Sequence, residues 1–116
     1  MIEKRKFVRL RAPIEIAYFP VKKHKHQRHH RTFLRDISGT GLSMIAKDDL
    51  RVGDLIKLEI HVPHLEDCLD AVGEVVWFSF SRDKEWVSRE AGVRFRDISA
   101  SDLKQILEYV YMIGIG

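Results

Sequence analysis

Short apolar runs with a period of two recur along most of this 116-residue chain, and only the last run changes to a helical period. In the clearest run, every second residue from 56 to 62 is apolar and the intervening residues are polar, until Pro63 ends it. Such alternation predicts a strand with one buried and one solvent-facing side. Similar signals predict strands near 14–18, 32–37, 42–46, 71–80 and 91–95. Many short strands in a small chain favour an antiparallel barrel or a sandwich.

The final element is predicted to be a helix over residues 99–113. Its apolar residues have the spacing i, i+3, i+4, i+7: Leu103, Ile106, Leu107 and Val110. Ser99, followed three residues later by Asp102, resembles a capping box with Asp in place of the usual Glu or Gln. We expect the apolar stripe of this helix to cover an open end of the strand assembly.

Composition excludes several classes of protein. One cysteine, Cys68, allows neither an intramolecular disulfide nor a cysteine-cluster metal site, and it suits a reducing compartment. No apolar run approaches the ~20 residues that cross a bilayer, and the basic first residues lack the apolar region of a secretory signal. We therefore expect one domain over residues 1–116, located in the cytoplasm and without a membrane partner.

Charge is distributed unevenly along the chain. Residues 1–35 contain eleven Lys or Arg and two acidic residues, whereas the remainder contains nine basic and fifteen acidic residues. This polarity indicates that the first third of the chain meets an anion. The alternative is a basic surface that is simply solvated.

The first candidate site is a pair of arginines, Arg5 and Arg9, on a basic arm over residues 1–12. Pro13 disfavours a helix through the residue before it, so we expect a non-helical arm that leads into a strand. A guanidinium donates in a planar fork that matches phosphate oxygens or the O6 and N7 atoms of guanine, and it also stacks on bases. The alternative is a basic terminus without a ligand.

The second candidate site, residues 36–41, lies where a strand enters a turn. The carboxylate of Asp36 can accept both donors on the Watson–Crick edge of guanine, which would select guanine over adenine, and Ser38 adds a small donor and acceptor. Gly41 can adopt positive φ and allow a ligand to approach the backbone closely. The alternative is a local turn in which Asp36 and Ser38 satisfy nearby backbone groups.

Taken together, Arg-x-x-x-Arg and, 27 residues later, Asp-x-Ser-x-x-Gly resemble the PilZ domain family. The strands at 73–77 and 91–95 and the terminal helix agree, so the resemblance covers essentially the whole chain. It implies an all-β fold of the split-barrel type: a six-stranded antiparallel barrel over 13–98, one C-terminal α-helix, and a flexible arm over 1–12. It also implies binding of the bacterial second messenger cyclic di-GMP by Arg5, Arg9, Asp36, Ser38 and Gly41, with Lys4 and Trp77 as secondary candidates.

By this resemblance the protein is a receptor or adaptor without catalytic activity or a cofactor. The sequence agrees, because it has no nucleophile elbow, phosphate-binding loop or metalloprotease motif. We expect the ligand to order the arm and so present a new surface to a downstream protein, which the sequence does not identify. The alternatives are an adaptor that binds only protein and a nucleic-acid-binding barrel, although the strands show no exposed aromatic platform for bases.

A histidine-rich loop over residues 24–30 contains four histidines in seven residues. Imidazoles could hold zinc, copper or nickel, but the loop has no acidic residue or cysteine, and Lys25, Arg28 and Arg31 repel a cation. We therefore expect a solvated loop that gains charge at mildly acid pH, with no metal site.

Overall fold

The computed structural model describes residues 8–9, 14–21, 30–63 and 65–115, with the backbone alone at 8–9 and 113–115. Its elements, in chain order, are strands β1 (Val8–Arg9), β2 (Glu15–Pro20), β3 (His30–Ile37), β4 (Gly41–Ile45), β5 (Leu55–His61), β6 (Leu69–Arg82) and β7 (Val87–Ile98), and helix α1 (Ala100–Ile115). Every predicted strand and the predicted helix are found.

Strands β2 to β7 close into an antiparallel barrel. Neighbouring strands follow the order β3-β2-β5-β6-β7-β4, and β4 pairs back with β3 to complete the ring. The predicted six-stranded barrel with one C-terminal helix is thereby confirmed. The short strand β1, which falls within the predicted arm, pairs with the end of β3; the rest of that arm lies outside the described residues.

Alternating side chains fill the barrel, as their period of two predicts. On β5 the inward residues Ile56, Leu58 and Ile60 are almost fully buried, whereas Lys57 between them is exposed. Tyr18 on β2 is also buried, and it is the largest of the fully buried side chains. Its hydroxyl donates to Asp48 Oδ1 (2.6 Å) and accepts from the backbone N–H of Lys47 (2.9 Å), so the loop after β4 is tied to the core.

Helix α1 packs part of its predicted apolar stripe against the barrel. Ile106 joins the buried core, whereas Leu107 is 45% exposed. At the start of the helix, the N–H of Asp102 donates to Ser99 Oγ (3.0 Å), while the Asp102 carboxylate accepts from the N–H of Asp70 instead of completing a capping box (3.2 Å). No helix among the described residues is both long and apolar enough to cross a membrane.

The histidine-rich loop lies outside the described residues except for His30. The His30 ring stacks on that of Tyr18 with 5.1 Å between centroids, and its Nε2 lies 3.7 Å from a carboxylate oxygen of Asp48. This histidine therefore packs at the edge of the barrel. Its neighbour Arg31 lies 4.0 Å from Glu15 in an exposed ion pair.

Candidate ligand-binding site

A cross-strand row of polar, small and aromatic residues crosses the outside of the barrel. Its members lie on β1, β3, β4, β7 and β6, and the pairing runs from Arg9 to Asp36, Ser43, Gly92 and Trp77. Residues in register on neighbouring strands lie side by side. The fold therefore gathers residues that are far apart in sequence into one line, which begins at the backbone position of Arg9.

The neighbouring row establishes which side is outside. It consists of four fully buried residues that are paired with one another: Ile37, Leu42, Val93 and Val75. Because side chains alternate across a strand, the row from Asp36 to Trp77 lies on the outer surface.

A β-bulge in β6 directs Trp77 to this surface. Val75 pairs with Val93, but Trp77 pairs with Gly92, so one extra residue, Val76, lies between the two pairs. In a regular ladder without the bulge, Val76 would be opposite Gly92 and Trp77 would be opposite Ala91, which is fully buried. A bulge shifts alternation by one residue, and here it leaves the indole 42% exposed. The expectation that the strands carry no exposed aromatic platform was therefore wrong at Trp77.

The row lines a cleft of about 350 Å³, which we call the Trp77 cleft. Arg94 lies on its lining, two residues beyond Gly92 on β7, and is exposed. Its backbone pairs with β4 and β6, but its guanidinium makes no hydrogen bond or ion pair with the side chains of the described residues. The cleft thus combines a guanidinium, the carboxylate of Asp36 and an exposed indole face, a set of groups suited to a planar, anionic ligand with hydrogen-bond donors.

Asp36 is held in place by its neighbour on β4. The hydroxyl of Ser43 donates to Asp36 Oδ2 at 3.0 Å, and Asp36 itself is half-buried. This bond orients the carboxylate on the outer row, beside the other residues of the cleft. The structure therefore places Asp36 where its predicted role requires it, on the lining of the Trp77 cleft.

Ser38 is used by the turn itself. It is buried, its N–H donates to the carbonyl of Gly41 (2.9 Å), and its hydroxyl oxygen accepts from the N–H of Thr40 (3.2 Å). The hydroxyls of Ser38 and Thr40 also lie 3.0 Å apart. These contacts support the local-turn interpretation of Ser38, in which it shapes the β3–β4 connection.

Gly41 is required for a reason other than the predicted one. Among the described residues, Gly53 is the one glycine with positive φ, at 99°, so the expectation of positive φ at Gly41 was wrong. A Cβ at Gly41 would lie 3.0 Å from the Cα of Arg94, and nearer still to the carbonyl oxygen of Val93. Strand β4 can approach β7 this closely because residue 41 has no side chain.

The structure thus brings together four of the predicted site residues at one edge of the barrel: Asp36, Ser38, Gly41 and Trp77. Arg9 joins them by backbone register alone, and Lys4 and Arg5 lie outside the described residues. Sequence reasoning missed Ser43, Gly92 and Arg94. The alternation of β7 contained a signal for the last two, because Ala91 and Val93 point inward and so Gly92 and Arg94 point outward.

Comparison with solved structures supports the fold. The PilZ domain of YcgR from Escherichia coli, solved with c-di-GMP, superposes with a TM-score of 0.70 at 15% identity, over 97% of this chain and 92% of that one. The Bacillus subtilis inhibitor of motility, MotI/DgrA, gives 0.73 at 20% identity, over 98% and 53%. The K. pneumonia MrkH–c-di-GMP complex gives 0.69 at 17% identity, over 98% and 53%. The chain therefore spans about half the length of MotI and MrkH.

Comparison of sequences identifies the family. No curated protein sequence matches the chain. A family model described as PilZ domain matches residues 3–112. Since that match takes in almost all of the sequence, the chain belongs to the PilZ domain family.

Proposed function

We propose that this protein is a receptor for cyclic di-GMP that binds its ligand in the Trp77 cleft. The observation that carries the proposal is the cross-strand row, because it joins the second arginine of one motif, Arg9, to Asp36 of the other and then to an exposed indole. Two of the solved relatives, the YcgR domain and MrkH, are described with c-di-GMP.

The chemistry of the cleft fits a guanine dinucleotide. Asp36 would accept the adjacent donors on the Watson–Crick edge of one guanine, which adenine does not present in that arrangement. Arg5 and Arg9 would donate to phosphates or to guanine O6 and N7, and Lys4 would add positive charge beside them. Ser38 and Gly41 would contribute mainly by setting the shape of the turn, since their contacts lie within the protein.

The proposed output is an interaction with a downstream protein, without catalysis. Binding would neutralise part of the charge on residues 1–12, which include five basic residues and one acidic residue, and would fix the arm beside the turn at 38–41. Ordering backbone costs about 1–2 kcal/mol per residue, so a ligand with many charged contacts is needed to offset it. The lone thiol of Cys68 suits action in a reducing compartment, the cytoplasm.

Calorimetric titration tests the proposal directly. We expect cyclic di-GMP to bind far more tightly than cyclic di-AMP or GTP, and Arg9→Ala to weaken binding by roughly tenfold or more, since a charge-assisted hydrogen bond contributes about 1.5–3 kcal/mol. Equal affinity for the two cyclic dinucleotides would contradict guanine recognition. Tight binding of single-stranded oligonucleotides, falling steeply with salt and insensitive to sequence, would favour the nucleic-acid alternative, to which the exposed Trp77 gives some support.

Hydrogen exchange tests the proposed ordering of the arm. Cyclic di-GMP should protect the amides of residues 4–11 and should change those of residues 103–110 less. The free protein serves as the control. Amides that are already protected without ligand, or that stay unprotected at saturation, would show that the arm does not act as a switch.

A further inference from the structure

The indole of Trp77 lies on the backbone of Gly92. A Cβ added at Gly92 would come within 2.5 Å of Trp77 Cδ1, and nearer still to Nε1 and Cε2. Real side-chain carbons do not approach a ring this closely, so the indole occupies the space that any other residue at position 92 would fill. Strand β7 therefore lies directly against the five-membered part of the indole, and Trp77 is still 42% exposed.

Two features of the strands produce this arrangement. The bulge at Val76 turns Trp77 outward, and the register then pairs it directly with Gly92. The contact with the backbone of Gly92 limits the rotation of the indole, because β7 blocks it on that side. Trp77 lines the Trp77 cleft together with Gly92, Arg94 and Asp36.

We infer that Gly92 is a positioning residue, which holds Trp77 flat so that its outer face stacks on a purine base of the ligand. The inference rests on the proposed function and adds to it an aromatic subsite on β6 and β7, apart from the two sequence motifs. The chemistry required of the ligand at this point is a planar ring system with a π-face, and Arg94 adds a cation to the lining of the same cleft. Gly92 contributes through Trp77 and touches no ligand atom itself.

A double-mutant cycle separates this role from a merely structural one. We expect Gly92→Ala to displace the indole and weaken cyclic di-GMP binding by about tenfold, within the range for one base stacked on one aromatic ring. Trp77→Ala should weaken binding by a similar factor. In the Trp77→Ala background, Gly92→Ala should have almost no further effect, because the ring with which the new methyl group collides is gone.

Tryptophan fluorescence provides a second readout. The chain has two tryptophans, and Trp86 is 68% exposed in the β6–β7 turn and does not line the Trp77 cleft, so Trp86→Phe isolates the signal of Trp77. In that background we expect cyclic di-GMP to quench the emission of Trp77, and we expect Gly92→Ala to abolish most of the quenching at ligand saturation. Trp86→Phe alone should bind as the native protein does.

The outcomes distinguish the two proposals. If the native protein fails to bind cyclic di-GMP, the proposed function is overturned and the subsite with it. If the native protein binds but Gly92→Ala binds equally well, or loses the same factor with and without Trp77, the positioning role alone is overturned. If Gly92→Ala does not fold, Trp77→Ala and the quenching of Trp77 in the Trp86→Phe protein decide the matter: unchanged affinity together with no quenching would overturn the stacking subsite.

Discussion

Two clefts on the surface of the barrel have similar sizes but opposite chemistry. The Trp77 cleft has a volume of about 350 Å³ and combines one carboxylate with the guanidinium of Arg94. The second, about 410 Å³, lies where β2, β5, β6 and β7 meet the start of α1. Its lining includes Lys57 and four carboxylates: Glu59, Asp70, Asp97 and Asp102. The larger cleft, which we call the acidic cleft, would repel the two phosphates of a cyclic dinucleotide, so charge decides between the clefts where volume does not.

The charged groups of the acidic cleft also differ from those of the Trp77 cleft in their contacts within the protein. The carboxylate of Asp102 accepts from the N–H of Asp70, and the ammonium of Lys57 lies 5.8 Å from the ring centroid of Phe19. In the Trp77 cleft, by contrast, the guanidinium of Arg94 is uncommitted among the described residues. Arg94 could therefore bind a ligand without first breaking a contact with the described residues, and a substitution at Arg94 is the most direct test of the difference between the clefts.

Charge reversal should produce the largest effect. We expect Arg94→Glu to weaken cyclic di-GMP binding about a hundredfold, because it removes a charge-assisted donor and places a like charge beside the phosphates. The matched control is Lys57→Glu, the same reversal in the acidic cleft, which should leave the affinity almost unchanged. Equal losses in a calorimetric titration of both variants would show that net charge, and not the Trp77 cleft, governs binding.

Removal of the Asp36 carboxylate should produce the next largest effect. Asp36→Ala is expected to weaken cyclic di-GMP binding about tenfold, since it deletes an ionised acceptor of guanine donors. Ser43→Ala is the matched variant, because it breaks the bond between Ser43 Oγ and Asp36 Oδ2 but keeps the carboxylate. Both should lower the free energy of unfolding by about 0.5–1.5 kcal/mol. If both lose the same affinity, Asp36 acts by bracing β3 against β4 and not by contacting the ligand.

The sequence predicted the barrel well because most of its strands contain a clear run of alternating residues, of which β5 is the most regular. In β5 the polar and apolar residues alternate without interruption, and the buried residues are those predicted. The helix was also predicted, but the exposure of Leu107 was not. The middle of α1 passes the β3–β4 turn, where a Cβ at Gly39 would lie 3.1 Å from Leu107 Cδ2. This contact between the helix and the turn depends on tertiary packing, which cannot be predicted from the periodicity of apolar residues.

The candidate site was less predictable, because it depends on departures from regular pairing. Strict alternation from Val75 would bury Trp77, and only the extra residue in the β6–β7 register turns it outward. Likewise, a glycine in a turn suggests positive φ, whereas Gly41 is needed for the close approach of β4 to β7. The spacing of the motifs therefore identified Asp36. The bulge and the contact of Gly92 with Trp77 could not be predicted in the same way, because both depend on how two strands pair and not on the residues of either strand alone.

A smaller effect is expected at Ser38, where stability and binding should separate. Ser38→Ala removes the acceptor of the Thr40 N–H within a buried turn, so we expect a loss of about 1 kcal/mol in the free energy of unfolding. The affinity for cyclic di-GMP should fall much less than in Asp36→Ala. Ser79→Ala on the exposed part of β6 is the control and should melt as the native protein does. A large loss of affinity with unchanged melting would instead make Ser38 a direct ligand contact.

The smallest effect of the ligand is expected on the reactivity of Cys68, which lies beside Glu59 of the acidic cleft. Its Sγ lies 3.9 Å from Glu59 Oε2, and burial, followed by the charges of Asp70 and Glu59, raises the pKa of the thiol. The thiolate is the nucleophile, so alkylation by iodoacetamide should be slow at neutral pH and should accelerate only above the pH at which an ordinary cysteine reacts. Saturating cyclic di-GMP should leave this rate unchanged if the ligand occupies the Trp77 cleft alone. Protection of Cys68 by the ligand would mean that the acidic cleft also takes part in binding, and the contrast between the two clefts would fail.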